Sequence, residues 1–309
     1  MDMLKYILKR LFYTIFVLLG VSILTFGLLK LTPGSPARLM LSDTATNAQI
    51  AEKEAEMGLD KPLVVQYGNY LNDLLHGNLG ESFSYKMPNA TLIFQRLPAT
   101  GYLTGVALLL ALLISLPLGL IAGVKRGSAL DFMAIGFTLL GQSISSVVLG
   151  LFTILIFAVK LGWLPAMGYG GLAFVILPAF SLATQIASLV TRMLRSGMID
   201  VLQEDYITST YAKGISDRLV VMKYALRNGI LPVITIIGIQ VGTFLGGAVV
   251  TEQIFSWPGI GSLTVQAIQL RDFSLVQSIL LIVSTLFILV NLLVDIIYTL
   301  VDPRMNFNN

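Results

Sequence analysis

Long apolar runs alternate with polar segments along most of the chain. Six of these runs are long enough to cross a hydrocarbon core of about 30 Å as helices. They predict membrane spans at residues 11–31, 101–123, 132–159, 172–190, 231–250 and 278–301. Polar and glycine residues at 141–146 interrupt the third run, so we expect that span to be tilted or broken there. The pattern predicts an all-α integral membrane protein with six transmembrane helices.

The longest polar segment follows the first span and predicts a small extracytoplasmic region. Residues 32–36 (TPGSP) indicate a turn, and residues 48–57 and 66–75 indicate two short helices. We therefore divide the chain into an N-terminal transmembrane helix at 1–31, an extracytoplasmic region at 32–94 and a membrane core at 95–302. A solvated loop and a docking surface are equally compatible with the pattern of the extracytoplasmic region.

Composition supports a membrane protein and excludes several kinds of site. Hydrophobic residues make up 55% of the chain and charged residues only 12%, whereas soluble domains carry about 25% charged residues. No cysteine is present, which excludes disulfides, thiolate metal sites and a cysteine nucleophile. A histidine metal site or a histidine-assisted hydrolase would depend on His76 alone. The net charge of +3 is better explained by membrane topology than by binding of nucleic acid.

The basic residues predict the orientation of the chain in the membrane. Segments on the N-terminal side of the membrane hold Lys5, Lys9, Arg10, Lys125, Arg126, Arg192, Arg195, Lys213, Arg218, Lys223, Arg227 and Arg304. The two short loops on the other side hold only Lys160 and Arg271. Because an excess of Lys and Arg marks cytoplasmic loops, we expect both termini, and a loop at 192–230, in the cytoplasm.

The cytoplasmic loop contains a predicted helix, tight turn and second helix. Residues 204–213 lack Pro and Gly, and Gly214 follows where a helix would end. Ser216 is suited to be the N-cap of the second helix, which we expect to run to Asn228. Pro232 is compatible with the first turn of the next span. This segment is the largest predicted cytoplasmic surface.

Glycines four residues apart predict close helix packing in the membrane. The pairs are Gly101 and Gly105, Gly119 and Gly123, Gly238 and Gly242, and Gly242 and Gly246. Small residues at this spacing allow two helix backbones to approach each other. Since Gly242 belongs to two pairs, the fifth span is expected to be the most closely packed.

Catalytic and nucleotide-binding motifs are missing. Asp295 is the only carboxylate that we place well inside a span, and we interpret it as a residue that reaches the inner face. No Gly-Lys dipeptide occurs, so the phosphate-binding loop of nucleotide hydrolases is absent. Energy for active transport would therefore enter from another polypeptide, through the surface at 204–228.

Several motifs together resemble one transporter family. They are residues 59–63 (LDKPL), 77–80 (GNLG), 162–165 (GWLP), 204–207 (EDYI), 212–214 (AKG), 225–228 (ALRN), 231–232 (LP), 252–261 (EQIFSWPGIG), 271–272 (RD), 291–295 (NLLVD) and 302–304 (DPR). The chain resembles permease subunits of bacterial binding-protein-dependent ABC importers, in the dipeptide, oligopeptide and nickel branch. It departs from the family pattern at Thr208, Ser209 and Thr210, where the family has Glu-Ala-Ala, and at Tyr224, which is often histidine.

The resemblance implies a type I ABC importer permease fold in the bacterial cytoplasmic membrane. It implies a second homologous permease, two cytoplasmic ATPases that use ATP and Mg²⁺, and an extracytoplasmic solute-binding protein as partners. This chain itself would be surrounded by lipid, bind no cofactor and catalyse no reaction. Short peptides are the expected substrates, with nickel or a metal chelate as the alternative. A stand-alone channel or carrier is the alternative function.

The resemblance also implies candidate functional residues. Coupling to an ATPase is assigned to Asp205, Tyr206, Ala212, Lys213 and Gly214. Polar residues of the spans, Gln142, Ser143, Ser145, Gln240 and Thr243, are candidates for the translocation path, or they bond neighbouring helices instead. An outer gate is assigned to Phe255, Trp257, Pro258 and Gly259, with an aromatic anchor at the lipid interface as the alternative.

Overall fold

The computed structural model describes residues 2–31, 37–38, 41, 46–56, 58–246 and 248–301. The helices are α1 (Asp2–Leu31), α2 (Asn47–Glu56), α3 (Leu63–Leu75), α4 (Asn89–Val124), α5 (Ala129–Ser143), α6 (Ser146–Lys160), α7 (Leu172–Leu202), α8 (Asp205–Ala212), α9 (Asp217–Gly229), α10 (Leu231–Leu245), α11 (Val249–Ile254), α12 (Ile260–Gln269) and α13 (Phe273–Val301). Within these described ranges the only β pairing is an isolated bridge between Glu81 and Pro88. The prediction of an all-α protein is confirmed.

The helix breaks follow the local chemistry of the sequence. The expected break of the third span lies between α5 and α6, where Ser145 accepts a hydrogen bond from the Val147 amide and begins the new helix. The predicted end of the fifth span at Val250 is wrong, because α10 ends at Leu245 with Gly246 as its cap. Glycine is a poor helix former, and two occur in a row at 246–247.

Two other helices are longer than the apolar pattern predicted. Helix α4 begins at Asn89 instead of residue 101, and α7 continues to Leu202 instead of ending near residue 190. Arg192 and Arg195 therefore lie on α7 and do not open a loop. The apolar run marks the part of a helix that meets lipid, whereas the helix itself continues until its hydrogen bonding stops.

Three of the described helices are long and apolar enough to cross a membrane without a break: α4, α7 and α13. The number rises to five if each of two bent pairs is one span, namely α5 with α6, bent by 101°, and α9 with α10, bent by 50°. Helix α1 contributes a shorter described apolar stretch, Phe12–Gly27. All six predicted spans coincide with helices, and the count of six stays a prediction.

The chain forms two compact units. The first consists of Met1–Pro98 and Gly259–Leu286. Its core contains Leu92, Ile93, Ile260, Leu263, Ala267, Leu275 and Ile279. In the same unit Tyr67 and Tyr70 of α3 pack on Phe26 of α1, and burial raises the pKa of the Tyr70 hydroxyl.

The second unit consists of Ala99–Pro258 and Phe287–Asn309 and is built around α7. The buried α7 residues in its core are Val175, Ala179, Leu182, Ala183, Ile186, Ala187, Val190, Leu194 and Met198. Helices α5, α6, α9 and α10 all pack against α7. This single long helix therefore connects the membrane part of the unit with the predicted cytoplasmic segment.

Two of the predicted glycine pairs lie at close helix contacts. A Cβ on Gly123 of α4 would lie 2.6 Å from Met198 Cβ of α7, and one on Gly119 would lie 2.9 Å from Leu194 Cβ. Gly238 and Gly242 of α10 face Val294 and Phe287 of α13 at similar distances. The pair at 101 and 105 is different, because no described atom lies within 4 Å of either Cβ position.

Some predictions fall on parts of the chain that the structure does not describe. These are the turn at 32–36, the motif at 302–304, and the side chains of Lys5, Lys9, Arg10 and Asp295.

Candidate coupling site

Helix α8 carries the predicted coupling residues and is anchored to the second unit by one face. Ile207 is completely buried in the main core and Thr210 is 8% exposed. Val220 and Ala225 of the neighbouring α9 belong to the same core. The Thr210 hydroxyl donates to the Tyr206 carbonyl at 2.6 Å, so it needs no partner outside the helix. An isolated helix of this length is unstable in water, and this buried face therefore holds α8 in place.

The opposite face of α8 is open. Asp205, Tyr206, Ala212 and Lys213 are all exposed, and the Tyr206 side chain retains 40% of its accessible surface. Asp205 lies in the first turn, where the helix dipole favours a carboxylate. These four predicted residues thus lie on the exposed side of a helix whose other side is buried in the core.

Gly214 ends this helix in the left-handed conformation. Its φ is +76°, and its amide donates to the Tyr211 carbonyl at 2.9 Å. No described atom lies within 4 Å of a Cβ at this position, so the requirement for glycine comes from the backbone angle and not from space. The prediction of a helix that ends at a glycine turn is confirmed.

Helix α9 returns the chain from α8 to the membrane. Ser216 begins it in an extended conformation, as predicted, although its hydroxyl makes no capping hydrogen bond to the described backbone. Its middle part, Val220–Ala225, is a π-helix, and the helix continues to Gly229. Pro232 lies in the first turn of the next helix, α10, as predicted.

Two contacts connect this segment to the rest of the unit. The Asn228 amide donates to the Tyr206 hydroxyl at 2.7 Å, which joins the end of α9 to the start of α8. A Cβ on Gly197 of α7 would lie only 2.7 Å from the Gly229 carbonyl oxygen, so the two backbones touch at this crossing. Direct contacts therefore join α8 to α9 and α9 to α7.

The surface around α8 and α9 carries four exposed cations and three exposed anions. Lys213, Arg218, Lys223 and Arg227 are exposed, as are the anions Glu204, Asp205 and Asp217. The anions lie at the N-terminal ends of the two helices, where the helix dipoles favour them. Lys213 and Arg227 lie at the C-terminal ends, whereas Arg218 lies in the first turn of α9 and Lys223 near its middle. The dipoles therefore explain the anions and only two of the four cations.

The candidate path residues lie in two groups on the second unit. Gln142, Ser143 and Ser145 are exposed at the break between α5 and α6. Thr243 is exposed on α10 one turn after the half-buried Gln240. The hydroxyls of Ser143 and Thr243 donate to carbonyls of their own helices at 2.7 and 2.8 Å. No described hydrogen bond joins the two groups or links either group to a neighbouring helix.

The candidate gate residues are largely buried. Trp257 is completely buried and Phe255 is 2% exposed. The Trp257 indole donates to the Ala99 carbonyl at 2.9 Å and its ring packs on Tyr102 and Tyr169. The burial of Trp257 contradicts its interpretation as a lipid-interface anchor. Pro258 is half-buried, and Gly259 begins α12.

The second unit contains a buried ion pair that was not predicted from the sequence. Asp131 is 3% exposed and accepts hydrogen bonds from Arg195 Nε at 2.5 Å and Nη2 at 2.9 Å. The Gly127 amide donates to the same carboxylate at 2.9 Å. The pair joins the start of α5 to α7. Nothing in the local pattern of Asp131 indicates a partner that lies in a different helix.

Two further buried carboxylates lie within motifs that carried the family resemblance. Glu252 is completely buried and accepts a hydrogen bond from the Thr100 hydroxyl at 3.0 Å. Asp272, also completely buried, caps α13 through the Leu275 amide at 3.1 Å and accepts hydrogen bonds from Ser82 and the Ser84 amide. Both carboxylates have structural roles. The motifs at 252–261 and 271–272 were the features of the sequence that could have drawn attention to them.

Comparisons with known proteins agree with this architecture. A family model for the inner membrane component of binding-protein-dependent transport systems matches residues 115–307, and a model for the N-terminal part of such components matches residues 3–104. The dipeptide transport system permease protein DppB of Alkalihalophilus pseudofirmus is 38% identical over 333 residues, with 99% of this chain and 100% of that protein covered. The glutathione transport system permease protein GsiC of Salmonella typhimurium is 39% identical over 305 residues, with the same coverage.

A solved structure shares the fold. An inward-facing conformation of the MetNI methionine ABC transporter matches with a TM-score of 0.57 and 18% identity. The match covers 68% of this chain and 96% of that one. The two family models, the full-length relatives and this fold lead to one conclusion: the chain belongs to the family of inner membrane components of binding-protein-dependent transport systems, as a permease.

Proposed function

We propose that this chain forms one membrane half of an ATP-driven importer of short peptides. The observation that carries the proposal is full-length similarity at 38–39% identity to permeases named for dipeptide and glutathione transport. Both named substrates are small peptides with a free carboxylate and amine. A second homologous permease would complete the path, and an extracytoplasmic solute-binding protein would deliver the peptide.

The exposed face of α8 is the proposed contact with a cytoplasmic ATPase. Asp205, Tyr206, Ala212 and Lys213 offer the partner a charged and aromatic surface, and Gly214 fixes the direction in which the chain leaves it. ATP and Mg²⁺ would be bound by the ATPases. When these close, they would push α8, whose buried Ile207 moves with the core of the second unit. The backbone contact of Gly197 with Gly229 supports transmission of this push to α7.

The proposed topology has both termini in the cytoplasm of a bacterial cell. The basic residues exposed on α8 and α9 support it, since Lys and Arg are enriched in cytoplasmic loops. In this orientation the α8 surface faces the ATPases, and the segment between α1 and α4 lies outside.

The translocation path is proposed along the two exposed polar groups at 142–145 and 240–243. Polar side chains on the surface of a membrane protein are costly against lipid, so a facing permease and a wet path between the two chains would suit them better. The buried segment 255–259 is the proposed outer gate element. Because Trp257 bonds to Ala99 and packs on Tyr102 and Tyr169, a movement of this segment would be shared by three parts of the unit.

ATP hydrolysis by the assembled importer tests this function. The chain is co-expressed with its partner permease, ATPases and binding protein, purified, and placed in lipid nanodiscs. We expect binding protein loaded with a dipeptide or glutathione to stimulate hydrolysis, and nickel-loaded binding protein not to do so. Stimulation by nickel alone would favour the metal-chelate importer. Purification of this chain with no ATPase bound to it would contradict the proposal as a whole.

A further inference from the structure

Helix α3 has three distinct faces. Tyr67, Tyr70 and Leu74 share the face that is packed against the first unit. A second flank is polar and exposed, with Asn69, Asn72 and Asp73. A third flank is apolar and consists of Val64, Gly68, Leu71 and Leu75, which recur at the spacing of one side of a helix. Val64 and Leu75 at its two ends are 83% and 86% exposed, and Leu71 between them is half-buried.

The exposed apolar flank calls for a partner. Leu63 and Val65, next to Val64, are also 59% and 45% exposed, so the apolar surface is broadest at the start of the helix. Single exposed apolar residues are common on soluble proteins, but a continuous apolar stripe marks an interaction surface. The polar flank of Asn69, Asn72 and Asp73 is suited to water.

Contacts with α1 fix the depth of α3 relative to the membrane. The Tyr67 hydroxyl shares a hydrogen bond of 2.8 Å with the Ser22 hydroxyl, and the rings of Tyr67 and Tyr70 lie 5.4 and 5.9 Å from the Phe26 ring. With a helical rise of about 1.5 Å per residue, Phe26 lies about 8 Å and Ser22 about 13 Å before the end of α1 at Leu31. The apolar run of α1 continues to this end, interrupted only by Lys30. With the first span predicted to end at Leu31, both tyrosine rings lie below the level of that end.

The neighbouring surface of α1 is already suited to lipid. Leu19, Ile23 and Leu24 of the same apolar helix are 39%, 55% and 68% exposed. The apolar flank of α3 lies on a helix that packs directly beside this surface, at similar depth. Amphipathic helices that lie in a membrane interface bury their apolar side about 5–10 Å into the boundary between headgroups and acyl chains, which matches the depth that Phe26 gives.

We propose that α3 is an interfacial helix whose apolar flank of Val64, Gly68, Leu71 and Leu75 lies in the lipid leaflet at the C-terminal end of α1. Its occupant is the upper acyl-chain region of the bilayer, and Asn69, Asn72 and Asp73 face water. The segment after the first span is thus partly a membrane-surface element and not only a soluble loop.

Single cysteines test this arrangement, and the chain is well suited because it contains no native cysteine. The variants are V64C and L75C on the apolar flank, with N69C and D73C as controls on the polar flank, one at the middle and one near the C-terminal end of α3. Each is assembled into the complete importer in lipid nanodiscs. Two readouts are made on this chain: its reaction rate with a charged maleimide, and quenching of an attached fluorophore by lipids brominated near the headgroup.

We expect V64C and L75C to react about tenfold more slowly than the controls, because apolar surroundings disfavour the reactive thiolate. Their labels should be quenched by the brominated lipid, and the labels at N69C and D73C should not. Equal reaction rates at all four positions would place α3 in water and overturn the proposal. Slow reaction without lipid quenching at V64C and L75C would identify a protein as the occupant and overturn it as well.

Discussion

The ion pair between Asp131 and Arg195 should be a major contribution to the stability of the second unit. The change is Arg195→Met, which keeps the length of the side chain and removes its charge. The Asp131 side chain, which is 3% exposed, would then keep only the Gly127 amide among its described hydrogen-bond donors. Removal of one partner from a buried pair costs about 3–5 kcal/mol, because a buried charge is left without compensation.

The double variant Asp131→Leu with Arg195→Met separates charge from packing. Replacement of both partners of a buried pair by apolar residues is often neutral or stabilising, so we expect it to regain most of the stability that Arg195→Met loses. The control is Lys53→Met, which breaks the pair of Lys53 with Glu56. That pair is 2.6 Å long but its side chains are 34% and 64% exposed, so we expect a change of at most about 0.5 kcal/mol.

The measurement is the apparent melting temperature of the purified importer, followed by tryptophan fluorescence and by the fraction that stays monodisperse. At about 2–4 °C per kcal/mol, Arg195→Met should lower the melting temperature by roughly 6–20 °C. The proposed contribution of the ion pair is refuted if Arg195→Met has the same melting temperature as the Lys53→Met control. It is also refuted if the double variant is no more stable than Arg195→Met.

Two further predictions compare matched glycines, and a third concerns a buried carboxylate. Gly214 and Gly77 have φ of +76° and +75° with no described atom within 4 Å of a Cβ, so alanine at either position should lower the free energy of unfolding by about 1–2 kcal/mol. Only Gly214→Ala should lower the amount of peptide transported per ATP hydrolysed. An equal loss of transport per ATP in both variants would contradict the coupling role of Gly214. Gly123→Ala should lower the free energy of unfolding by about 1–3 kcal/mol through overpacking, whereas Gly101→Ala should leave it unchanged or raise it. A lower melting temperature for Gly101→Ala than for Gly123→Ala would contradict the close contact described at Gly123. Asp272→Asn places an amide NH₂ group among the hydrogen-bond donors that surround the carboxylate. It should lower the free energy of unfolding by about 1–3 kcal/mol, measured by the same thermal unfolding. An unchanged melting temperature would show that the carboxylate is not needed for stability.

The sequence was sufficient where local chemistry determines the structure. The end of α8 at Gly214 follows from the left-handed angle that only glycine adopts without cost. The break before α6 follows from Ser145, which caps the next helix. The exposed face of α8 was also predictable in outline, because a short polar helix between apolar runs must bury one side and expose the other.

Contacts between distant parts of the chain were not predictable in this way. Asp131 and Arg195 belong to different helices, and no periodicity links them. The pattern gave Trp257 two alternatives, gate element or lipid anchor, and only the bond to Ala99 and the packed tyrosines reveal its burial. The same holds for the glycines, since the pair at 101 and 105 has the spacing of a packed pair but no close described neighbour.

Uptake of a labelled dipeptide into proteoliposomes tests the central claim most directly. The vesicles contain this chain, its partner permease, the ATPases and the binding protein, and parallel samples omit either the ATPases, ATP or this chain. The account predicts accumulation of peptide against its gradient in the complete system and none in any of the three omissions. Uptake that persists without the ATPases would contradict it and would identify the chain as a stand-alone channel or carrier.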